Sequence, residues 1–527
     1  MAGFDERTTT FSRARVWCYA ALSAAVVYLS TMAPGVLWGD SGDAQIRVLI
    51  GALTDARELA RAHAPYYAVA IGLHRFTGAD AAWVANLVAA LAGVVTVANF
   101  AWLLTHSVRR RVSLVAGTAM LLLSHTLWQL STGAEVVTFS TMCLSFELAA
   151  VVSYLAARKP YWLVLAALAN GIGWSTHNLA MLTWPAYVVL MAMQWRRRPS
   201  APALAAAGTA WLIGVLPLAV LTGMAYSQSG SVSDTVRSLL VGRYSRQVFS
   251  VDLGLGTAVR AMVYVAMNFP TPLILLAPWG WWRLRRFERR ETWWFLTVAG
   301  GMYGLFAVRY RVPDQYTFFV HAYLFLVLFT AAGVEGLLHR WRSRRIVTAV
   351  LILSALGPPA YAVAPPIARA IPATRALLPA REIPYREPYS WFLRPWRTGY
   401  RGAERYANEV FLTLPLESVL ILDEMMQPPL IYLQRRDRIR LDVKFQASRY
   451  LWDWSRPLEL DSTTESSLIT TGRLFVASTV RTSLPDWLRS EAYDYVPVGL
   501  IWQVVFTQST RTRRGENQTD TPSLPAS

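Results

Sequence analysis

Five short stretches of the chain carry residue types that could do chemistry. Gly39-Asp40-Ser41-Gly42-Asp43 sets two carboxylates three residues apart among glycines. If a helix begins there, both share one face. A carboxylate so placed could act as a general base, taking the proton of an acceptor hydroxyl. The competing reading is a turn in which Asp40 or Ser41 caps a helix. His63-Ala64-Pro65-Tyr66-Tyr67 offers an imidazole, a rigid turn and two phenols, or else an aromatic anchor at a membrane surface. Glu135 and His177-Asn178 stand at junctions between apolar runs, where a simple loop charge and a hydrogen-bonded structural imidazole are the plain alternatives. Arg309-Tyr310-Arg311-Val312-Pro313-Asp314-Gln315 pairs two guanidiniums, natural partners for a phosphate. Asp314 would either orient them or neutralise them.

The elements that must position these residues are membrane helices. Of 527 residues, 54% are hydrophobic and 16% charged. Soluble chains carry about 25% charged residues. The net charge of +18 comes almost wholly from Arg, since Lys occurs only at positions 159 and 444. The basic residues cluster between apolar runs, which is a topology signal and not the footprint of a nucleic-acid binder. Cys18 and Cys143 both lie in apolar runs, which excludes a disulfide framework. No phosphate-binding P-loop, dinucleotide fingerprint or zinc spacing is present; no residues are assigned to a metal, and a divalent-metal requirement stays open.

Runs of roughly 20 apolar residues mark spans. The first is 16–37, too long for a signal-peptide core. Further spans fall at 81–106, 113–132, 136–156, 161–177, 178–195, 202–226, 257–282, 292–308, 316–338 and 346–366, about eleven in all. With the N-terminus in the cytoplasm, every strong basic cluster of this region falls inside: 109–111, 158–159, 196–198, 283–290 and 340–345. Residues 65–76 are too short to span and are expected as a helix on the outer surface, within a first outer loop of 38–80. The expected organisation is a polytopic domain over 1–366, an extracytoplasmic α/β domain over 367–510 and a disordered tail over 511–527. Strand- and helix-type runs appear at 419–424, 430–434, 474–479 and 498–506. Under this topology all five chemical stretches map to the outer face. That grouping suits an active site at the membrane surface whose substrate is amphiphilic with an anionic head.

PGVLWGDSGD at 34–43, followed by the His-Pro-aromatic stretch at 63–67, resembles the opening signature of a multi-pass family long known only as a domain of unknown function. That family is allied to protein O-mannosyltransferases of the GT-C glycosyltransferase type. Its signature has a Gly-Asp-Ser-Gly-acidic element and then His-Pro-Pro-Gly-Tyr-Pro. The resemblance continues through Ala134-Glu135-Val136, Ser175-Thr176-His177-Asn178, RYRVPDQYTFFVHAYL at 309–324 and LPLESVLILDEMMQPPLIYLQRRDRIRLDV at 414–443. It departs where Ala64 and Tyr66 replace Pro and Gly, and where Asp43 replaces the usual Glu.

The resemblance implies a GT-C fold and a polyprenyl-phosphate-sugar-dependent, inverting glycosyltransferase. Such an enzyme would move a sugar, mannose or another hexose, to a protein or glycan acceptor on the outer face of a bacterial inner or plasma membrane. By position, Asp40 would be the base and Asp43 its support. His63, Tyr66, Glu135, His177 and Asn178 would bind substrate. Arg309 and Arg311 would hold the lipid phosphate, and Asp314 would orient them. The alternatives are a transporter or flippase of lipid-linked saccharide, and a catalytically silent membrane scaffold. A transporter is expected to place polar groups at mid-membrane depth, whereas these candidates sit at span ends.

Overall fold

A computed structural model describes residues 12–53, 59, 62–197, 199–240, 242, 245–248, 254–372, 374, 382–447 and 462–508. The expected tail at 511–527 lies outside the described residues. The chain divides into two compact units. One comprises Met1–Pro34, Gly51–Arg381 and Pro388–Gly399; the other comprises Gly35–Ile50, Glu382–Glu387 and Tyr400–Ser527.

The first unit is helical. Four of its described helices are long and apolar enough to cross a membrane: Ala81–Ser107, Val136–Ala157, Ala201–Ser229 and Gln315–Arg340. A fifth candidate is the pair Arg344–Ser354 and Gly357–Ala370, bent by 51°. The 292–308 run lies within one unbroken 20-residue helix, Arg290–Arg309, and other expected spans are shorter or interrupted. The run at 16–37 is helical only over Arg13–Thr31, before Pro34. The 113–132 run splits into Arg111–Leu122 and His125–Leu130. The 178–195 run opens as a 3₁₀ helix, Asn178–Thr183, and turns α-helical at Trp184, where Pro185 fits a helix start. The 257–282 run breaks into Leu255–Asn268, a 3₁₀ turn over Pro272–Leu276, and Ala277–Phe287; Pro272 and Pro278 each stand at a restart.

Small residues and a few buried polar groups bring these helices together. Ala20, Ala24 and Tyr28, four apart, form the buried stripe of the first helix. Tyr28 donates from its hydroxyl to the Leu122 carbonyl at 2.9 Å. Trp17 donates to Asn99 at 3.0 Å, and Asn99 donates on to Ser145 at 3.2 Å, which ties three helices through one amide. Gly171 lies so close to the Ala201–Ser229 helix that a β-carbon there would sit 2.4 Å from the Trp211 carbonyl oxygen. Such backbone proximity is how helices gain van der Waals contact where lipid removes the hydrophobic drive. Residues 388–399 fold back onto this bundle: His125 meets the Phe392 carbonyl at 2.7 Å, and Thr132 donates to the Pro395 carbonyl at 2.8 Å.

The second unit is α/β. Its strands are β1 (Val419–Leu422), β2 (Lys444–Ala447), β3 (Leu474–Val476), β4 (Tyr493–Val498) and β5 (Ile501–Phe506), in spatial order β2-β1-β3-β5-β4. β1 pairs in parallel with β2 and β3, whereas β5 is antiparallel to both β3 and β4. Every residue of β1 is buried, as expected of a central parallel strand covered on both faces. The 498–506 run is not one strand, because its first residue ends β4 and the turn falls at Gly499-Leu500. The 430–434 run lies inside the helix Gln427–Asp437, which connects β1 to β2. The helices Gly39–Ile50 and Gly402–Thr413 both pack on that connecting helix. Residues 35–50 are therefore part of this second unit, although residue 50 precedes the first strand residue, 419, by 369 positions.

Candidate active site

The Gly-Asp-Ser-Gly-Asp stretch opens a 12-residue helix, Gly39–Ile50, with Asp40 in its first turn. The approach to that helix is clamped by Gln45. Its side-chain oxygen accepts from the Leu37 amide at 2.8 Å, and its amide group donates to the Gly35 carbonyl at 3.2 Å. Gly39 has φ of 54°, a left-handed conformation that suits glycine, and its amide donates to the Met425 carbonyl at 3.1 Å. A β-carbon on Gly42 would lie 2.4 Å from both the Leu37 carbonyl oxygen and the Pro428 β-carbon. Both glycines thus fix how the carboxylate helix sits on the helix after β1.

Asp40 is exposed at the start of this helix, where the helix dipole accommodates a negative charge. Asp43 is buried at 7% exposure and Arg47 at 2%. Their i,i+4 spacing puts a carboxylate and a guanidinium on one helical face. Arg47 was not singled out by sequence reasoning, although the spacing from Asp43 was its signal.

The remaining candidates belong to the first unit. His63 takes φ of 49° and precedes the helix Ala64–Thr77 with Pro65 in its first turn, so the expected short helix is present. The His63 Nδ1 is 2.6 Å from the Thr176 carbonyl oxygen. A carbonyl can only accept, so Nδ1 bears a proton. His177 is the mirror case. Its Nδ1 accepts from the Leu179 amide at 3.2 Å, which puts the proton of a neutral ring on Nε2. The two rings stack at 5.6 Å between centroids, and Phe318 lies edge-on to His177 at 6.0 Å. The structure therefore brings His63 and His177 together, although 114 positions separate them in sequence.

Three other candidates have structural engagements. The Tyr66 hydroxyl, fully buried, donates to the Ala85 carbonyl at 3.0 Å. Asn178 donates to the carbonyls of Leu239 and Leu240 at 2.7 and 3.0 Å, at the end of the helix Val232–Leu240. Glu135 occupies the cap position before Val136–Ala157, and its carbonyl accepts from the Thr138 hydroxyl at 2.7 Å.

Arg309 and Arg311 stand in the turn between Arg290–Arg309 and Gln315–Arg340. The Gln315 side chain closes this turn by donating to the carbonyls of Ala307 and Val308, both at 2.9 Å. Arg309 donates to the Val248 carbonyl at 2.5 Å, and Arg311 donates to the Thr257 hydroxyl. Both guanidiniums are half-buried, and Asp314 is exposed at the cap of the second helix. Among the described residues no group of three or more His, Cys, Asp or Glu side chains could hold a metal ion.

Two buried polar groups were missed in the sequence. His321 approaches Ser140 at 3.1 Å and stacks on Tyr303. Glu147, 1% exposed, accepts from Asn170 at 3.1 Å and from the Tyr187 hydroxyl at 2.9 Å. Asn170 in turn accepts from the indoles of Trp184 and Trp211, each at 3.1 Å. The available signal was a lone polar residue in an apolar run.

No family model matches the chain, and no curated protein sequence matches it either. Among solved structures, ArnT from Cupriavidus metallidurans bound to undecaprenyl phosphate matches with a TM-score of 0.60 at 16% identity, covering 94% of this chain and 98% of that one. This is a GT-C fold. The apo state of the same ArnT matches with a TM-score of 0.57 at 15% identity over the same shares. A partial likeness, TM-score 0.33 at 17% identity, links 46% of this chain to 36% of a chain of the Saccharomyces cerevisiae protein O-mannosyltransferase Pmt1-Pmt2 complex bound to the sugar donor. The GT-C expectation from the sequence is borne out as fold: a helical bundle with long apolar helices, followed by a small C-terminal sheet.

Proposed function

We propose that the protein is a membrane glycosyltransferase that moves a sugar from a polyprenyl-phosphate carrier to a protein or glycan acceptor. The observation that carries this reading is the match along nearly the whole chain to ArnT, whose structure holds undecaprenyl phosphate. The two half-buried arginines at the Arg309–Asp314 turn support it, because they suit a lipid phosphate.

In the proposed reaction the acceptor hydroxyl attacks the anomeric carbon from the face opposite the phosphate. The new glycosidic bond forms as the bond from that carbon to the phosphate oxygen breaks, which inverts the configuration. The hydroxyl proton passes to Asp40, and polyprenyl phosphate leaves with its electron pair and negative charge. Arg309 and Arg311 hold that charge, with Asp314 setting their orientation. Asp43, at the buried side of its helix, positions Asp40. Glu135, His63, Tyr66, His177 and Asn178 shape the sugar's surroundings.

The proposed topology has the N-terminus in the cytoplasm and eleven passes, several of them through interrupted helices. The polytopic part runs to about residue 366, and the α/β domain of 367–510 lies outside. A general base typically contributes roughly 10²–10⁴-fold. Asp40→Asn, which keeps size and removes basicity, is expected to lower turnover by that order while donor binding persists; Asp43→Asn is expected to be milder. The assay is transfer by purified protein with lipid-linked donor supplied. Near-normal turnover by Asp40→Asn would remove Asp40 as the base and direct attention to Asp43 or Glu135.

A further inference from the structure

Two helices of the first unit begin at an arginine cluster and rest on a third. Arg13–Thr31 starts with Arg13 and Arg15, Arg111–Leu122 starts with Arg111, and both pack against Ala81–Ser107. Between them runs an open groove of about 570 Å³. Small side chains, Ala20, Ala101 and Ala119, leave the room, while Tyr19 and Leu114 give the groove apolar walls. Arg15 and Arg111 stand at one end, and Leu122 marks the other.

Charge and length together describe the occupant. At the basic end two guanidiniums meet the starts of two helices, where unpaired amides add positive potential. Among the described residues neither Arg15 nor Arg111 has an ion-pair partner. From Arg111 to Leu122 the helix rises about 16 Å at ~1.5 Å per residue. That is half of a hydrocarbon core of about 30 Å, the depth of one leaflet. Tyr19 is 70% exposed and Val115 52% exposed, so the rim is apolar where acyl chains lie beside it. A polyprenyl chain would overrun a slot of this length, whereas one acyl chain fits it.

We propose that this groove is a site for an anionic glycerophospholipid of the leaflet on the basic-loop side. The headgroup phosphate is held by Arg15 and Arg111, and one acyl chain lies along Tyr19 and Leu114. The site requires only that the first unit is in a membrane, and it is independent of the proposed transfer reaction.

The test is native mass spectrometry of the full chain in detergent, titrated with phosphatidylglycerol and phosphatidylcholine. Wild type is expected to retain phosphatidylglycerol at least five-fold better than phosphatidylcholine. R15Q/R111Q should bring that ratio near one, and R15K/R111K should keep most of it. Ala119→Phe, which fills the groove while leaving both arginines, should reduce retention of both lipids. Unchanged size-exclusion and melting profiles establish that the variants are folded. Equal phosphatidylglycerol retention by wild type and R15Q/R111Q would overturn the proposal. So would displacement of phosphatidylglycerol from the wild type by equimolar undecaprenyl phosphate that R15Q/R111Q no longer shows, since the site would then belong to the carrier lipid.

Discussion

In the proposed reaction Arg309 and Arg311 hold the lipid phosphate, and each guanidinium is anchored to a neighbouring segment, at the Val248 carbonyl and the Thr257 hydroxyl. R309Q/R311Q is therefore expected to raise the donor KM about ten-fold or more, with a smaller change in kcat and an intact melting profile. Steady-state kinetics against donor concentration checks this. An unchanged KM in folded protein would reduce the pair to a structural role. A second residue-scale effect belongs to Asp442, outside the membrane region. The Arg440 guanidinium donates to both of its oxygens, and the Glu417 amide donates to one, so its carboxyl is held at about 2 against an ordinary 3.8. A depressed acid stabilises the folded state above its unfolded pKa and loses that contribution as pH falls toward the folded value. The 414–447 segment should thus gain hydrogen-exchange rate between about pH 4 and pH 2, and Asp442→Asn should remove that pH dependence. The effect is modest because the pair is only half-buried and solvent screens it.

At the scale of elements, the Glu147–Asn170 network holds the interrupted 178–193 segment against three other helices. Asn170→Leu would leave the indole N–H groups of Trp184 and Trp211 without their acceptor. A cost of about 1–3 kcal/mol is expected, read as a lowered Tm in detergent. Glu147→Gln keeps an acceptor oxygen for both of its donors and should melt near wild type. Long uninterrupted helices such as Ala81–Ser107 were legible because composition alone makes them. The 3₁₀ turn at Asn178–Thr183 was not, because apolar character continues through it; only Pro185 hints at the restart. The Gly39–Asp43 stretch was legible as a special backbone because glycines flank its acids. The atoms that require those glycines, Met425 and Pro428, lie far along the chain. The pairing of His63 with His177 was equally hidden, since each sits alone among apolar neighbours.

At the scale of the molecule, the proposed orientation rests on the side to which the arginine clusters fall. A reporter fused after residue 400 should prove extracytoplasmic; a cytoplasmic signal would overturn the assignment of the Asp40 chemistry to the outer face. The fold itself persists at 16% identity to ArnT along 94% of the chain. Such persistence is expected when helix length and small-residue contacts, and not particular side chains, define the bundle.

The discontinuous second unit also has a consequence for the order of synthesis. Trp38 donates to the Tyr400 hydroxyl at 2.6 Å across a separation of 362 residues. At ~5–20 residues per second, the Gly39–Ile50 segment waits on the order of 20–70 s for the chain that will hold it. Throughout that interval Gly39 lacks its Met425 partner and Gly42 its Pro428 partner, with only the local Leu37 contact in place. A ribosome that stalls after the last apolar run therefore leaves a bundle without the partners that hold the Asp40 helix. On the proposed mechanism, premature sugar transfer by unfinished chains is then prevented by chain connectivity alone.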